Sequence, residues 1–360
     1  MRFPEFSGEW KKYSLGEVAD FVKERISTDK LTLTTYVSTE NMRSDFGGIN
    51  PAISIPNNTN VIHYKKRDVL LSNIRPYLRK VWSANYDGGC SADVFVFRAK
   101  HITPFFLYYI IANDTFINYV MSGAKGVKMP RGDKEQMLKY TFSIPTMEEQ
   151  NKISHILHLL DDRISTQNKI IEKLETLIKG IYSVVFQGTF SKECYRLGEI
   201  SNLYQPSTIS SANLNDDGKY LVYGANGTIG RYDKYNHEQP QITITCRGNT
   251  CGTVNYTSDF CWITGNSMVV NIEKYITIVN QRYLFHYLNN MDFSSIISGS
   301  GQPQIVRTPL EKLKIYLPSF TEQQKISANI DTIITKLSLE QSVLGYFQQQ
   351  KSFLLQQMFI

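Results

Sequence analysis

The stretch LLSNIRPYLRKVW (Leu70–Trp82) holds side chains that can read and grip a nucleic acid. Arg75 offers a planar fork that bonds O6 and N7 of guanine together, and Asn73 can do the same for adenine. Tyr77, Arg79 and Lys80 suit the sugar-phosphate backbone, where a donor fixes register without reading sequence. The alternative is a solvated surface loop. A second basic loop, SGAKGVKMPRG (Ser122–Gly132), sets Lys125, Lys128 and Arg131 among glycines. Glycine there lets the backbone approach a ligand closely.

A second set of candidate residues lies in the later half. YGANGTIGRYDKYN carries Asn226, TCRGNTCGT carries Arg247 and Asn249, TGNSM carries Asn266, and SGSGQPQIVR carries Gln302 and Gln304. Arg247 follows the alternating stretch QITITC as Arg75 follows DVLLSN. Gly224, Gly227 and Gly230 match neither a dinucleotide nor a Walker pattern, because no helix follows and no Lys-Ser/Thr pair closes the loop. They read as turns.

Catalytic constellations are missing from the sequence. There is no G-x-S-x-G elbow and no Asn/Asp-Pro-Pro motif of the amino-methyltransferase kind. His155 and His158 lie one helical turn apart beside an apolar seam, and read as flank residues. The five cysteines have no C-x-x-C pair. They read as reduced, mostly buried thiols rather than a zinc site.

These loops must be carried by larger elements, and those elements repeat. PTMEEQNKIS (Pro145–Ser154) returns as PSFTEQQKIS (Pro318–Ser327), 173 residues later. Thr146 with Glu149, and Ser319 with Glu322, have the spacing of capping boxes that start helices. After each start an apolar seam steps by three and four. The first runs Leu157, Leu160, Ile164, Gln167, Ile171, Leu174, Ile178. The second runs Ile330, Ile333, Leu337, Glu340, Leu344, Phe347, Lys351, Leu354. The spacing predicts helices of about 40 residues, roughly 60 Å at 1.5 Å per residue. Either they pack on each other as a coiled coil, or each packs on its own globular unit. YSLGEVADF (Tyr13–Phe21) also returns, as YRLGEISNL (Tyr195–Leu203). Between these markers the two halves diverge in sequence. Phe105–Met121 and Gln281–Ile297 each read as a late helix.

The expected organisation is therefore α+β. Two α/β globular units (1–145 and 191–318) are joined by two long helical segments (146–190 and 319–360). The helices form an antiparallel coiled-coil-like pair with internal pseudo-two-fold symmetry. Composition agrees with two folded cores, since 42% of residues are hydrophobic and 12% aromatic. No apolar run is long enough for a membrane span, and the start lacks a signal-peptide pattern, so a cytoplasmic protein is expected. Residues 1–145 carry 20 basic and 14 acidic side chains, a net +6, while residues 191–319 carry 11 and 10, a net +1. The first half thus suits a polyanion.

RFPEFSGEW near the start, the paired LGE openings at Leu15–Glu17 and Leu197–Glu199, and the paired proline-cap-EQ-x-KIS helix starts resemble the specificity subunits of type I restriction–modification systems. The resemblance covers essentially the whole chain and lies in the duplicated order of its motifs. It implies that each variable segment is a target recognition domain reading one half of a split double-stranded DNA sequence. Residues around Asn73–Lys80 match the basic loop of the first domain. Those around Asn226, Arg247, Asn266 and Gln302–Ile305 match loops of the second. The helices would set the gap and dock two modification (methylase) subunits. Those partners would bring S-adenosylmethionine, and restriction subunits would bring ATP and Mg. This chain would hold no cofactor, metal or catalytic residue of its own. The competing expectations are a coiled-coil adaptor that binds protein only, and a lone methylase fragment or nuclease.

Overall fold

The computed structural model describes residues 2–187, 193–225, 227–299 and 301–359. It divides into two compact units, residues 1–168 with 342–360, and residues 169–341.

In the first unit, strand Lys11–Ser14 pairs antiparallel with Thr141–Ile144, closing the start of the domain onto its end. Between them lies a four-stranded antiparallel sheet in the order Ala19–Phe21, Val94–Ala99, Val69–Ser72, Val81–Ser83. Side chains alternate across a strand, and here both faces are covered. Val69, Leu71, Phe95 and Phe97 point into the main core with Phe106, Leu107 and Phe116. Leu70, Val94 and Val96 enter a second cluster with Tyr64 and Cys90. That two-sided burial explains the unbroken apolar run at residues 69–71. An outer sheet follows the order Arg25–Ser27, Asn60–Tyr64, Gly88–Cys90, Tyr36–Val37, its last pair parallel.

The second unit repeats this plan. Strand Glu193–Arg196 pairs with Lys314–Leu317. The core sheet runs Asn202–Tyr204, Ser267–Asn271, Ile242–Thr245, Val254–Tyr256. Its outer sheet has three strands, Gly227–Tyr232, Tyr220–Gly224 and Trp262–Ile263, again ending in a parallel pair. Past Val69 the core-sheet strands and the last short helix keep the 173-residue interval: Val69–Ser72 becomes Ile242–Thr245, Val81–Ser83 becomes Val254–Tyr256, and helix Lys134–Leu138 becomes Arg307–Glu311. The stretch before Val69 changes length, 22–68 against 205–241, and the start of the late helix shifts as well, its caps Thr103 and Asn280 lying 177 residues apart. The contents that diverge in sequence therefore share the backbone of the core sheet, while the outer sheets and late helices differ. The expected late helices are shorter than their apolar spans. The first breaks into Pro104–Ile111 and Asp114–Ser122, because Asn113 caps a new helix by accepting from the Thr115 N–H. The second ends at Asn289.

The long helices span Met147–Gln187 and Phe320–Met358. Leu157, Leu160, Ile171 and Ile330 are buried, and the remaining seam positions Ile164, Leu174, Ile178, Ile333, Leu337, Leu344, Phe347 and Leu354 are half-buried. In the first unit Ile153 and Leu157 share a core with Leu355 and Met358. Asp161 pairs with Lys351, and Arg163 stacks over Phe347. One number falls as the other rises, so these helix segments run antiparallel. In the second unit Val185, Phe186 and Ile326 pack on its core.

The repeated EQ phrase has a structural reason. Gln150 and Gln323 are both buried. Gln150 donates to the Pro145 carbonyl (2.9 Å) and accepts from Thr103 N–H (2.9 Å). Gln323 donates to the carbonyls of Pro318 (2.9 Å) and Ile278 (3.0 Å) and accepts from Asn280 N–H (2.9 Å). Each glutamine thus ties its long helix to the residue that opens the late helix. The preceding glutamates differ. Glu322 accepts from Ser319 as a capping box requires. Glu149 is fully buried and grips Arg2 with both oxygens at 2.9 Å, so only the Thr146 half of its box forms. Gln323→Leu leaves one buried and two partly buried backbone groups unpaired. It should lower stability by about 2–4 kcal/mol in urea unfolding, and a loss below about 1 kcal/mol would show that water replaces the side chain.

A second clamp lies in the second unit. His286 is fully buried; the Tyr182 hydroxyl donates to its Nδ1 (3.0 Å), and its Nε2–H donates to Asp331 (2.9 Å). Arg282 also bonds Asp331 (2.9 Å) and stacks on Tyr256. Burial pushes the His286 pKa down despite Asp331. Burial would raise Asp331, but Arg282 and His286 outweigh it and hold that carboxyl below its usual range. A lowered histidine pKa gives stability that is present above the unfolded value, about 6.5, and lost as pH falls towards the folded value. The melting temperature should therefore drop between pH 7 and 5, and His286→Gln should flatten that drop. Equal slopes would place the dependence elsewhere.

Candidate nucleic-acid interface

Strand Val69–Ser72 runs out of the core sheet into a tight arch. Asn73 N–H bonds the Asp93 carbonyl (2.8 Å), and Arg75 N–H bonds the Pro130 carbonyl (2.9 Å). Ile74 bridges to Arg131. The two basic loops, distant in sequence, are thereby joined. The second loop is a hairpin closed by mutual N–H···O bonds of 2.9 Å between Lys125 and Arg131.

The second unit builds the same arch at the same interval. Arg247 bridges to Gln304, Gly248 N–H bonds the Pro303 carbonyl (3.0 Å), and Ser298 and Gln304 close the hairpin. The counterpart of Arg75 is Gly248, and that of Arg247 is Ile74, one place away from the alignment of the two arginines expected above. The backbone explains why. This arch position has positive φ in both units, +51 at Arg75 and +87 at Gly248. Left-handed backbone costs a non-glycine residue about 1–2 kcal/mol. The second unit takes the unstrained residue, while the first keeps an arginine there.

The side chains of the first arch fall into two groups. Arg79 pairs with Asp45 (3.4 Å) and Asp114 (2.9 Å), and Lys80 donates to the Thr39 carbonyl (2.6 Å). Lys125 pairs with Asp133 (2.9 Å), and Arg131 with Asp93 (3.3 Å). Lys125 and the capping N–H of Gln136 hold the Asp133 carboxyl below its usual range. Four of the expected cations therefore also brace the loops. Asn73, Arg75, Tyr77 and Lys128 form the other group. The Oδ1 of Asn73 and Nε of Arg75 are buried with no hydrogen-bond partner among the described residues, although buried polar atoms are nearly always paired. Tyr77 is 48% exposed, and Lys128 is exposed with no ion pair among the described residues.

In the second unit Arg247, Asn249, Asn266, Gln302 and Gln304 are all exposed. The Asn266 carbonyl accepts from Cys246 N–H (3.0 Å), which places it beside the arch. Asn226 lies outside the described residues. No group of three metal-ligating side chains occurs among the described residues, and no helix there is long and apolar enough to cross a membrane. Sequence reasoning did not single out Pro130 and Pro303, which anchor both arches, nor the apolar hairpin tip Val127 and Met129. The G-x-x-x-P spacing shared by Gly126–Pro130 and Gly299–Pro303 was the available signal.

A duplicated frame that presents two differently furnished loop pairs defines a paired recognition protein. The family described as type I restriction modification DNA specificity domain matches residues 7–176 and again residues 191–344, and the chain belongs to that family. The MjaVIII specificity subunit of Methanocaldococcus jannaschii is 22% identical over 98% of this chain and 91% of its own length. The EcoprrI specificity subunit of Escherichia coli is 29% identical over 39% of this chain; the matched part spans 35% of that relative. Among solved structures, a type I restriction–modification S subunit from M. genitalium shares the fold, with TM-score 0.74 at 16% identity, covering 100% of this chain and 99% of that one.

Arg75→Gly installs the second unit's residue and relieves the left-handed strain. It should leave stability within about 1 kcal/mol while relaxing one half of any recognised sequence. A protein that loses both halves, or that unfolds, would make Arg75 a structural residue.

Proposed function

We propose that this chain is the non-catalytic DNA-specificity subunit of a type I restriction–modification complex. Each unit reads one half of a bipartite double-stranded target. The observation that carries this reading is the arch built twice at one interval with different side chains. Backbone hydrogen bonds hold the loops, and base-edge chemistry is left to residues that differ between the copies. Asn73, Arg75 and Tyr77 with Lys128 serve one half-site; Arg247, Asn249, Asn266, Gln302 and Gln304 serve the other. Arg79, Lys80, Lys125 and Arg131 brace the first set and add positive potential.

The division at 1–145, 146–190, 191–318 and 319–360 is the functional one, with recognition in the first and third segments and spacing and docking in the others. The repeated helices give one kind of partner two equivalent places to bind. Those partners are two methylase subunits carrying S-adenosylmethionine, with ATP- and Mg-dependent restriction subunits in the full assembly, in the cytoplasm. The protein-only adaptor is disfavoured by the exposed polar and cationic side chains that the two arches present, Tyr77 and Lys128 in one and Arg247, Asn249, Asn266, Gln302 and Gln304 in the other.

The test is a map of N6-methyladenine in a host lacking adenine methylation, with this chain co-expressed with its methylase subunit. One split motif of fixed gap, present only with this chain, is the expected result. An assembled complex that methylates nothing and binds no duplex would leave the adaptor.

A further inference from the structure

The tip of the first unit's hairpin is apolar, which the fold does not require. Val127 is 103% exposed and Met129 is 48% exposed. Between them Lys128 is exposed too. The tip is nevertheless well based. Lys125 and Arg131 close the hairpin, Gly126 turns its corner at φ +95, and Pro130 is held by the Arg75 N–H. It therefore projects from the same arch that carries the orphaned Asn73 and Arg75 atoms. In the second unit Gly299 makes the same corner at φ +90. There the sequence places Ser300 and Gln302 where the first has Val127 and Met129.

An apolar tip flanked by lysine and arginine suits a polyanion whose groove displays an apolar group. In the major groove that group is the 5-methyl of thymine. A protein surface would accept the valine and methionine, but it would not call for the cationic flank. We infer that Val127 and Met129 are specificity-determining residues that read a thymine 5-methyl in the half-site of the first unit. This deepens the DNA-specificity reading above and rests on it.

The test uses the complex of the full chain with its methylase subunit. The probe is a duplex carrying the mapped motif, and the first unit's half-site is the one that Arg75→Gly relaxes. Each thymine of that half-site is replaced singly by deoxyuridine, which removes only the methyl. The wild-type complex should lose about fourfold in affinity at one or two positions, the worth of one buried methyl-sized group. The variant Val127→Ser/Met129→Gln, which copies the second tip, should bind the thymine and uridine duplexes equally. Its exposed positions leave folding intact. Unchanged uridine sensitivity in the variant overturns the inference, as does a wild type indifferent to every uridine. A variant that loses the methylase subunit but keeps the motif letters makes the tip a protein contact and overturns it too. If the wild type yields no split motif at all, the specificity reading itself has failed, and the inference falls with it.

Discussion

The buried amides of Gln150 and Gln323 are the constraint on which the architecture turns. A long helix leaves its first turn with unpaired N–H groups, and a recognition domain that ends in a strand leaves carbonyls at the junction. One glutamine in each copy bonds the proline carbonyl of that junction and the backbone N–H at the late helix start. An apolar residue could fill the space but could not satisfy those groups, and burying them unpaired costs more than the bonds contribute. Orientation of helix against domain is therefore fixed by directional bonds, not by apolar packing alone. That is why the EQ phrase is repeated while the loops it supports are free to change.

The arch shows the opposite economy. Its backbone is held by N–H···O=C bonds to Pro130 and Pro303, with Arg79, Lys80, Lys125 and Arg131 as braces in the first copy, so the remaining side chains are not needed to keep its shape. Side chains at the arch can then be chosen for what they touch. Arg75 is informative because it sits in left-handed backbone where the other copy uses glycine. Strain retained beside an orphaned polar atom points to a role outside the fold.

The long helices were legible because their seam spans many turns and the phrase at each start is nearly copied. The core strands were legible as short apolar or alternating runs. The exact helical limits of the late segments were not, because Asn113 caps a new helix inside an apolar stretch whose periodicity hides the break. The shared backbone of the two variable segments was also hidden. Its determinants are main-chain bonds, two prolines and two glycines, and these leave little trace in side-chain similarity. Among the candidate site residues, the sequence picked out the loops that the arch joins, but it could not separate Arg79 and Lys80, which turn back on Asp45, Asp114 and Thr39, from Arg75 and Lys128.

That separation changes how the charge should be read. A net +6 in residues 1–145 against +1 in residues 191–319 suggests that one half grips phosphate far more strongly. Yet Arg79, Arg98, Arg131, Lys100 and Lys125 each hold a carboxylate within 3.4 Å. Counterion release follows the cations that actually neutralise phosphate, and a lysine already paired to aspartate contributes little of it. Each such pair removes one cation and one carboxylate and so leaves the net +6 unchanged; what the pairs alter is which cations stand free, with Lys128 unpaired among the described residues at the first arch and Arg247 exposed at the second.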